Sequence, residues 1–263
     1  MVGRIVRRLA SLIVAAGICL LPTVAAQARP VSTTSTGNDI SYPQCGASLP
    51  SGQAFAIVGV NGGKASNFNP CFGSEWAWAQ KSTGLAGQPT AQLYINTGNP
   101  GDVLAQYGVT DWPTSSVAAD PYGTCSGVWT DDLPCSWEYG YERARADLST
   151  VGVSGGRWWL DIETANSWTS DTAKNQVSLE GMVYALQHAG ATVGIYSSSS
   201  AWSSLFGTVA VSSPLYPLPE WRPGARTLSR AQGNCALTPF EGDGVVELTQ
   251  YVSNNLDYDY ACG

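Results

Sequence analysis

The chain has 263 residues, with 13 Lys and Arg against 20 Asp and Glu, a formal net charge of −7. Arg4, Arg7 and Arg8 precede an apolar run, Leu9 to Leu21, that ends at the small-x-small pattern Ala26-Gln27-Ala28, so residues 1–28 read as a secretory signal peptide. Without those three arginines the balance is ten basic against twenty acidic residues, which argues against nucleic acid or an anionic membrane surface as the partner.

The mature chain is expected from Arg29 and to be secreted. The leader is too short to span a bilayer, and no later stretch is long enough, so no integral membrane segment is expected. About 235 residues suit one large core and a monomer. Six cysteines lie beyond the signal: Cys45, Cys71, Cys125, Cys135, Cys235 and Cys262. An even count in an exported chain implies disulfides. Of the fifteen possible pairings, neighbour pairing (45–71, 125–135, 235–262) is expected, because it pins three loop regions. No Cys-x-x-Cys occurs and His188 is the one histidine, so neither a metal site nor a cofactor is expected.

In chain order, residues 29–36 are polar and read as a flexible terminus, and the domain spans 37–263. Asn38 to Ser41 forms a short strand that stops at Pro43. Residues 55–61 (FAIVGVN) are a buried strand, 74–86 a helix with Ser74 as N-cap, and 91–97 a third strand. The stretch 98–135 is rich in Pro and Gly and carries two cysteines; it reads as a disulfide-tied insertion with a short strand at 117–120. Asp131-Asp132 reads as a solvated turn. A helix follows from Ser136 to 150, then the strand RWWLDIET, then an amphipathic helix from Asp171 to Ala189 with Gly190 after it. Residues 192–197 form a strand, 201–206 a short helix, 214–221 a strand end punctuated by prolines, and 245–251 a last strand before the closing NNLDYDYACG. Alternating strands and helices at this length predict a single (β/α) TIM-type barrel, irregular at the insertion.

In such a barrel, function gathers at the C-terminal ends of the strands. Side chains alternate along WWLDIET, so Trp159, Asp161 and Glu163 share one face. Two acids crowded on a buried strand have pKa values pushed apart, which suits acid/base work on a glycosidic bond. Asp39 ends the first strand, while Asp257 and Asp259 follow the last, so carboxylates from distant segments converge on one mouth. Tyr42, Tyr94, Trp159, Tyr196, Trp221 and Tyr251 accompany them; flat apolar faces beside acids suit sugar rings, although aromatic residues also fill cores.

The segment Asp39-Ile40-Ser41-Tyr42-Pro43-Gln44 resembles the opening D-[IV]-S-x-x-Q of glycoside hydrolase family 25 lysozymes. The resemblance continues in order through FAIVGVNGG, LDIE, VGIYS, Trp221 and LTQY…LDYD, spanning residues 37–260. It implies a muramidase acting on peptidoglycan. Glu163 would be the proton donor, Asp161 would orient the substrate acetamido group or stabilise the transition state, and Asp39 would position substrate or charge. Asp257 would be a supporting acid, with Asp259 where the family often has Asn. The resemblance also implies a retaining outcome if the acetamido oxygen is the nucleophile. The chain departs from the family in the long insertion, in Cys45 directly after the first motif, and in residues 61–73.

A lone His188 near a helix C-terminus suits a structural or surface role and argues against Ser-His-Asp hydrolysis. Gly62-Gly63-Lys64 lacks the spacing of a phosphate loop. The competing reading is a barrel that binds envelope polysaccharide without cleaving it; a third is transglycosylation on another surface glycan.

Overall fold

The computed structural model describes residues 35–101, 111–127, 131–240 and 242–263. The signal peptide, most of the polar terminus and parts of the insertion lie outside these residues. Eight described strands close into a barrel in sequence order: β1 (Thr36–Ile40), β2 (Ala56–Gly59), β3 (Ala91–Asn96), β4 (Arg157–Asp161), β5 (Thr192–Tyr196), β6 (Glu220–Ala225), β7 (Val246–Ser253) and β8 (Leu256–Ala261). Around it pack α1 (Phe72–Ala79), α2 (Leu133–Val151), α3 (Thr172–His188), α4 (Ser199–Phe206) and α5 (Leu228–Asn234).

The barrel is not parallel throughout. β1 to β7 pair in parallel, but β8 runs antiparallel to both β7 and β1. Asn254 and Asn255 both have positive φ, 52° and 59°. Two consecutive left-handed residues make the tight hairpin turn whose twist matches the flanking strands, and Asn tolerates that conformation. The closing segment is therefore a strand rather than a tail, and it carries Asp257 and Asp259 back beside Asp39; Asp39 pairs with Asp257 in register.

Alternation along β4 sorts two cores. Trp158, Leu160 and, just beyond the strand, Ile162 join the apolar layer between barrel and helices, with Leu93, Ile95, Met182 and Val183. Trp159 points inward with Phe55, Ile57, Trp221 and Leu248. Arg157, Trp159 and Asp161 thus stack up the barrel axis. Arg157 lies at the bottom, paired with Glu247 at 3.0 Å and over the Trp159 ring. Trp159 Nε1 donates to Gln92 Oε1 at 2.8 Å, so the indole is buried without an unmet donor.

Several local boundaries differ from expectation. α1 starts two residues before Ser74, with Cys71 at its N-cap, and Ser74 instead donates its hydroxyl to Cys71 O. Residues 117–120 form no strand; Val117 N–H donates to the buried Glu138 of α2. Asp132 is the N-cap of α2, accepting from Cys135 N at 2.9 Å, and Asp131 pairs with Lys174 at 2.9 Å, so this is not a free solvated turn. Prolines delay β6 to Glu220. Neighbour pairing of the cysteines holds: Cys45–Cys71 ties the loop after β1 to α1, Cys125–Cys135 ties the insertion to α2, and Cys235–Cys262 ties α5 to the chain after β8.

Candidate active site

At the C-terminal mouth a cavity of 210 Å³ is lined by Asp39, Tyr94, Asp161, Glu163, Tyr196, Trp221, Gln250 and Asp257. Each lies on a barrel strand except Glu163, which stands two residues beyond β4. A cavity of 150 Å³ shares Glu163 and Tyr196 with it. Another, of 210 Å³, reaches past Thr97 and Asn166, two residues that both donate to Asp161 O. A larger space of 530 Å³ lies at the bottom, around Arg157 and Glu247, and holds no pair of free acids.

The acids differ in depth. Asp39 and Asp161 are 8% and 7% exposed, Asp259 is 0% exposed, Asp257 is half-buried and Glu163 stands exposed at the rim. Asp161 Oδ2 accepts from Asn96 Nδ2 at 2.7 Å, while Asp161 Oδ1 has no donor among the described residues. Asp39 Oδ2 accepts from Gln250 Nε2 at 3.0 Å, and Gln250 Oε1 in turn accepts from Tyr196 OH at 2.9 Å. Asp259 Oδ1 accepts from Trp221 Nε1 at 2.8 Å.

Burial dominates their protonation. It pushes Asp39 up to about 7, helped by the charge of Asp257 and opposed by hydrogen bonds from Gln250 and Asp259. Asp161 is held well above the usual carboxylate range by burial, then by Glu163 and Asp39, against the Asn96 hydrogen bond. Asp259 is likewise held well above it by burial, then by Asp39. Glu163 and Asp257 are raised by what desolvation they keep. Asp39 and Asp259 touch carboxyl to carboxyl, which needs a proton between them. The cluster therefore keeps some carboxyls neutral near pH 7, the condition for a carboxylic acid to donate a proton.

Three aromatic side chains wall the pocket. Tyr196 and Tyr94 meet the Trp221 ring edge-on, at 4.5 Å and 6.3 Å between centroids. Gly59 makes room for this wall: a Cβ there would sit 2.4 Å from Ser41 Oγ and 2.5 Å from Tyr94 Cζ.

Not every expected residue lines the cavity. Trp159 is fully buried beneath Trp221, 5.8 Å between centroids, and supports the floor. Asp259 lies behind Asp39. Tyr251 stacks on Tyr258 instead of lining the pocket. Tyr42 is exposed, with its ring over Gly63. Gln250 and Asn96 were missed: an amide carries no chemical signal of its own in a sequence. Gln250 does sit inside the QY motif quoted above, and Asn96 follows the alternation of β3. Among the described residues, the one cluster with metal-ligand types is Cys45, Cys71 and Glu75, and its two sulfurs are joined to each other. His188 is exposed, with Nδ1 at 2.8 Å from Tyr184 O and its ring stacked on Tyr184.

A family model described as "Lysozyme-like protein 1" matches residues 140–221, the stretch from α2 through the D-x-E strand to Trp221. A probable GH family 25 lysozyme of Dictyostelium discoideum is 38% identical over 60 residues, a match that spans 23% of this chain and 28% of the relative. Solved structures align over most of the chain. A muramidase from Trichobolus zukalii covers 87% of this chain and 93% of its own, with 16% identity and a TM-score of 0.54. A bacterial lysozyme from Streptomyces coelicolor covers 88% and 94%, with 15% identity and a TM-score of 0.54. At such identities the structural likeness speaks for the closed barrel with its surrounding helices. The chain is thus similar to lysozymes of glycoside hydrolase family 25 locally in sequence, and to muramidases over most of its length in fold.

Proposed function

We propose that the protein is a secreted, monomeric glycoside hydrolase that cleaves cell-wall glycan in the manner of a muramidase. The observation that carries this is the convergence of Asp39, Asp161, Glu163 and Asp257 on one open, aromatic-walled pocket. The adjoining cavity that shares Glu163 and Tyr196 with it extends the pocket along its rim, which suits a polymer rather than a small molecule. Export accords with three disulfides and with the signal-like leader. No described helix is long and apolar enough to cross a membrane.

Glu163 is the general acid in this reading: it is the exposed acid, and its carboxyl is raised by partial burial. It gives its proton to the glycosidic oxygen as the bond to the anomeric carbon breaks. The substrate's acetamido oxygen closes on that carbon from the other face, with Asp161 orienting the amide. The Glu163 carboxylate then takes a proton from the water that opens the ring, which restores the acid and retains configuration. Asp39, held by Gln250 and Asp259, positions the sugar, and Asp257 adds a second carboxyl beside it. Tyr94, Tyr196 and the edge of Trp221 offer flat contact to the sugar.

Release of reducing sugar from purified peptidoglycan by residues 29–263, set against Glu163→Gln, tests this. Loss of a general acid lowers kcat roughly a hundredfold or more. Glycan binding without release by the parent would instead support a non-cleaving binding barrel, and equal rates would remove Glu163 from its role.

A further inference from the structure

Asp147 lies on α2, outside the barrel, yet it is only 6% exposed, and among the described residues its carboxyl has a single hydrogen-bond partner: its Oδ1 accepts from Asn61 Nδ2 at 2.9 Å, while its Oδ2 has none. The cation nearest it in charge terms, Arg143 one turn earlier, forms an ion pair with Asp111 and lies over the Tyr139 ring. A buried acid so poorly compensated is a cost to folding rather than a gain. Its burial pushes it up to about 8.

The partner explains the expense. Asn61 is 0% exposed, just beyond β2, and spends its whole side-chain amide. One Nδ2 hydrogen goes to Asn67 O at 3.0 Å and the other to Asp147; its Oδ1 accepts from Asn96 N at 2.8 Å. With both amide hydrogens committed, the amide has one orientation, and that orientation aims Oδ1 at the backbone of Asn96. Asn96 is register neighbour to Asp161, and among the described residues its Nδ2 is the one side-chain donor to that carboxyl. We propose that Asp147 is a positioning residue for Asp161, acting through Asn61 and Asn96 to hold the Asn96 donor on the Asp161 carboxyl. The role assigned to Asp161 rests on the hydrolase reading; the hydrogen-bond chain itself does not.

Removing the acceptor at 147 frees one Asn61 hydrogen in a buried place, so Asn61 reorients to find water and Asn96 loses its anchor. Asp161 then loses its donor, and its ionised form becomes less favourable. Two variants separate position from packing. Asp147→Leu removes the acceptor, and Asp147→Asn keeps an oxygen for Asn61. Asp161 is followed by carbon-13 carboxyl NMR across pH, and kcat and KM are measured on soluble peptidoglycan fragments. Expected for the Leu variant are a higher titration midpoint for Asp161, and kcat down about tenfold, the scale of one weakened hydrogen bond to a charged group, with KM within twofold. The Asn variant stays near wild type in both. If Asp147→Leu does not fold, Asn61→Ala breaks the same chain and takes its place. An unmoved Asp161 midpoint in a folded chain-breaking variant overturns the proposal, as does equal loss in the Asn and Leu variants. If the wild type cleaves no glycan, the hydrolase reading falls while the titration still decides this one.

Discussion

Replacing Asp259 by Asn tests the shared proton at the back of the pocket. Asp259 is fully buried, accepts from Trp221 at 2.8 Å and meets Asp39 carboxyl to carboxyl. In Asp259→Asn the amide oxygen keeps the Trp221 bond, and the amide hydrogens give Asp39 a donor that never titrates. In the unfolded chain Asp39 titrates near 3.8, and in the fold near 7. Between those values the folded state holds the extra proton, so the stability is full below about pH 4 and drains away as pH rises to 7. Asp259, also raised, adds to the same trend. The variant removes one buried acid outright and replaces a conditional hydrogen bond to a charged group with a permanent one, worth about 1.5–3 kcal/mol. Urea unfolding from pH 4 to pH 9 is the assay. Wild type should lose stability steadily as pH rises. The Asn variant should lose less and exceed wild type by about 2 kcal/mol at pH 8, with little difference at pH 4. Parallel curves for the two proteins would refute the shared proton.

Two further predictions concern packing. Trp158→Ala empties a fully buried site in the layer between barrel and helices and strands Gly155 O, its indole's acceptor at 2.9 Å; it should cost about 3–5 kcal/mol, read by thermal or urea unfolding, and a cost below 1 kcal/mol would mean that the layer refills. Gly59→Ala drives a methyl group into Ser41 Oγ and the Tyr94 ring. It should cost about 1–3 kcal/mol and lower glycan cleavage more than Trp158→Ala does in its folded fraction, because the displaced ring walls the pocket.

Much of this protein was legible along the chain. Hydrophobic alternation around Asp161 put Trp158 and Leu160 on one face and Trp159 with Asp161 on the other, because a strand has a period of two; the fold then turned the first face to the helices and the second inward. The even cysteine count implied bridges, and their neighbour pairing followed the loops they pin. The order of the acids, at the ends of strands far apart, was enough to expect them at one mouth.

Other features were hidden or misread. The turn signal of Asn254-Asn255 stands in the sequence, but the direction of β8 does not, because it depends on which neighbours complete the barrel. Depth was not readable either. Asp161, Glu163 and Asp259 are alike as letters, yet one is buried against Asn96, one is exposed and one is fully enclosed against Trp221. The sequence by itself determined which residues share a strand face and that the acids gather at one end of the barrel, since both follow from local periodicity and chain order. Only the tertiary structure decided which of those carboxyls keep their protons and which amides hold them, because desolvation and hydrogen bonding arise between residues such as Asp147, Asn61 and Asn96 that become neighbours only in the folded chain.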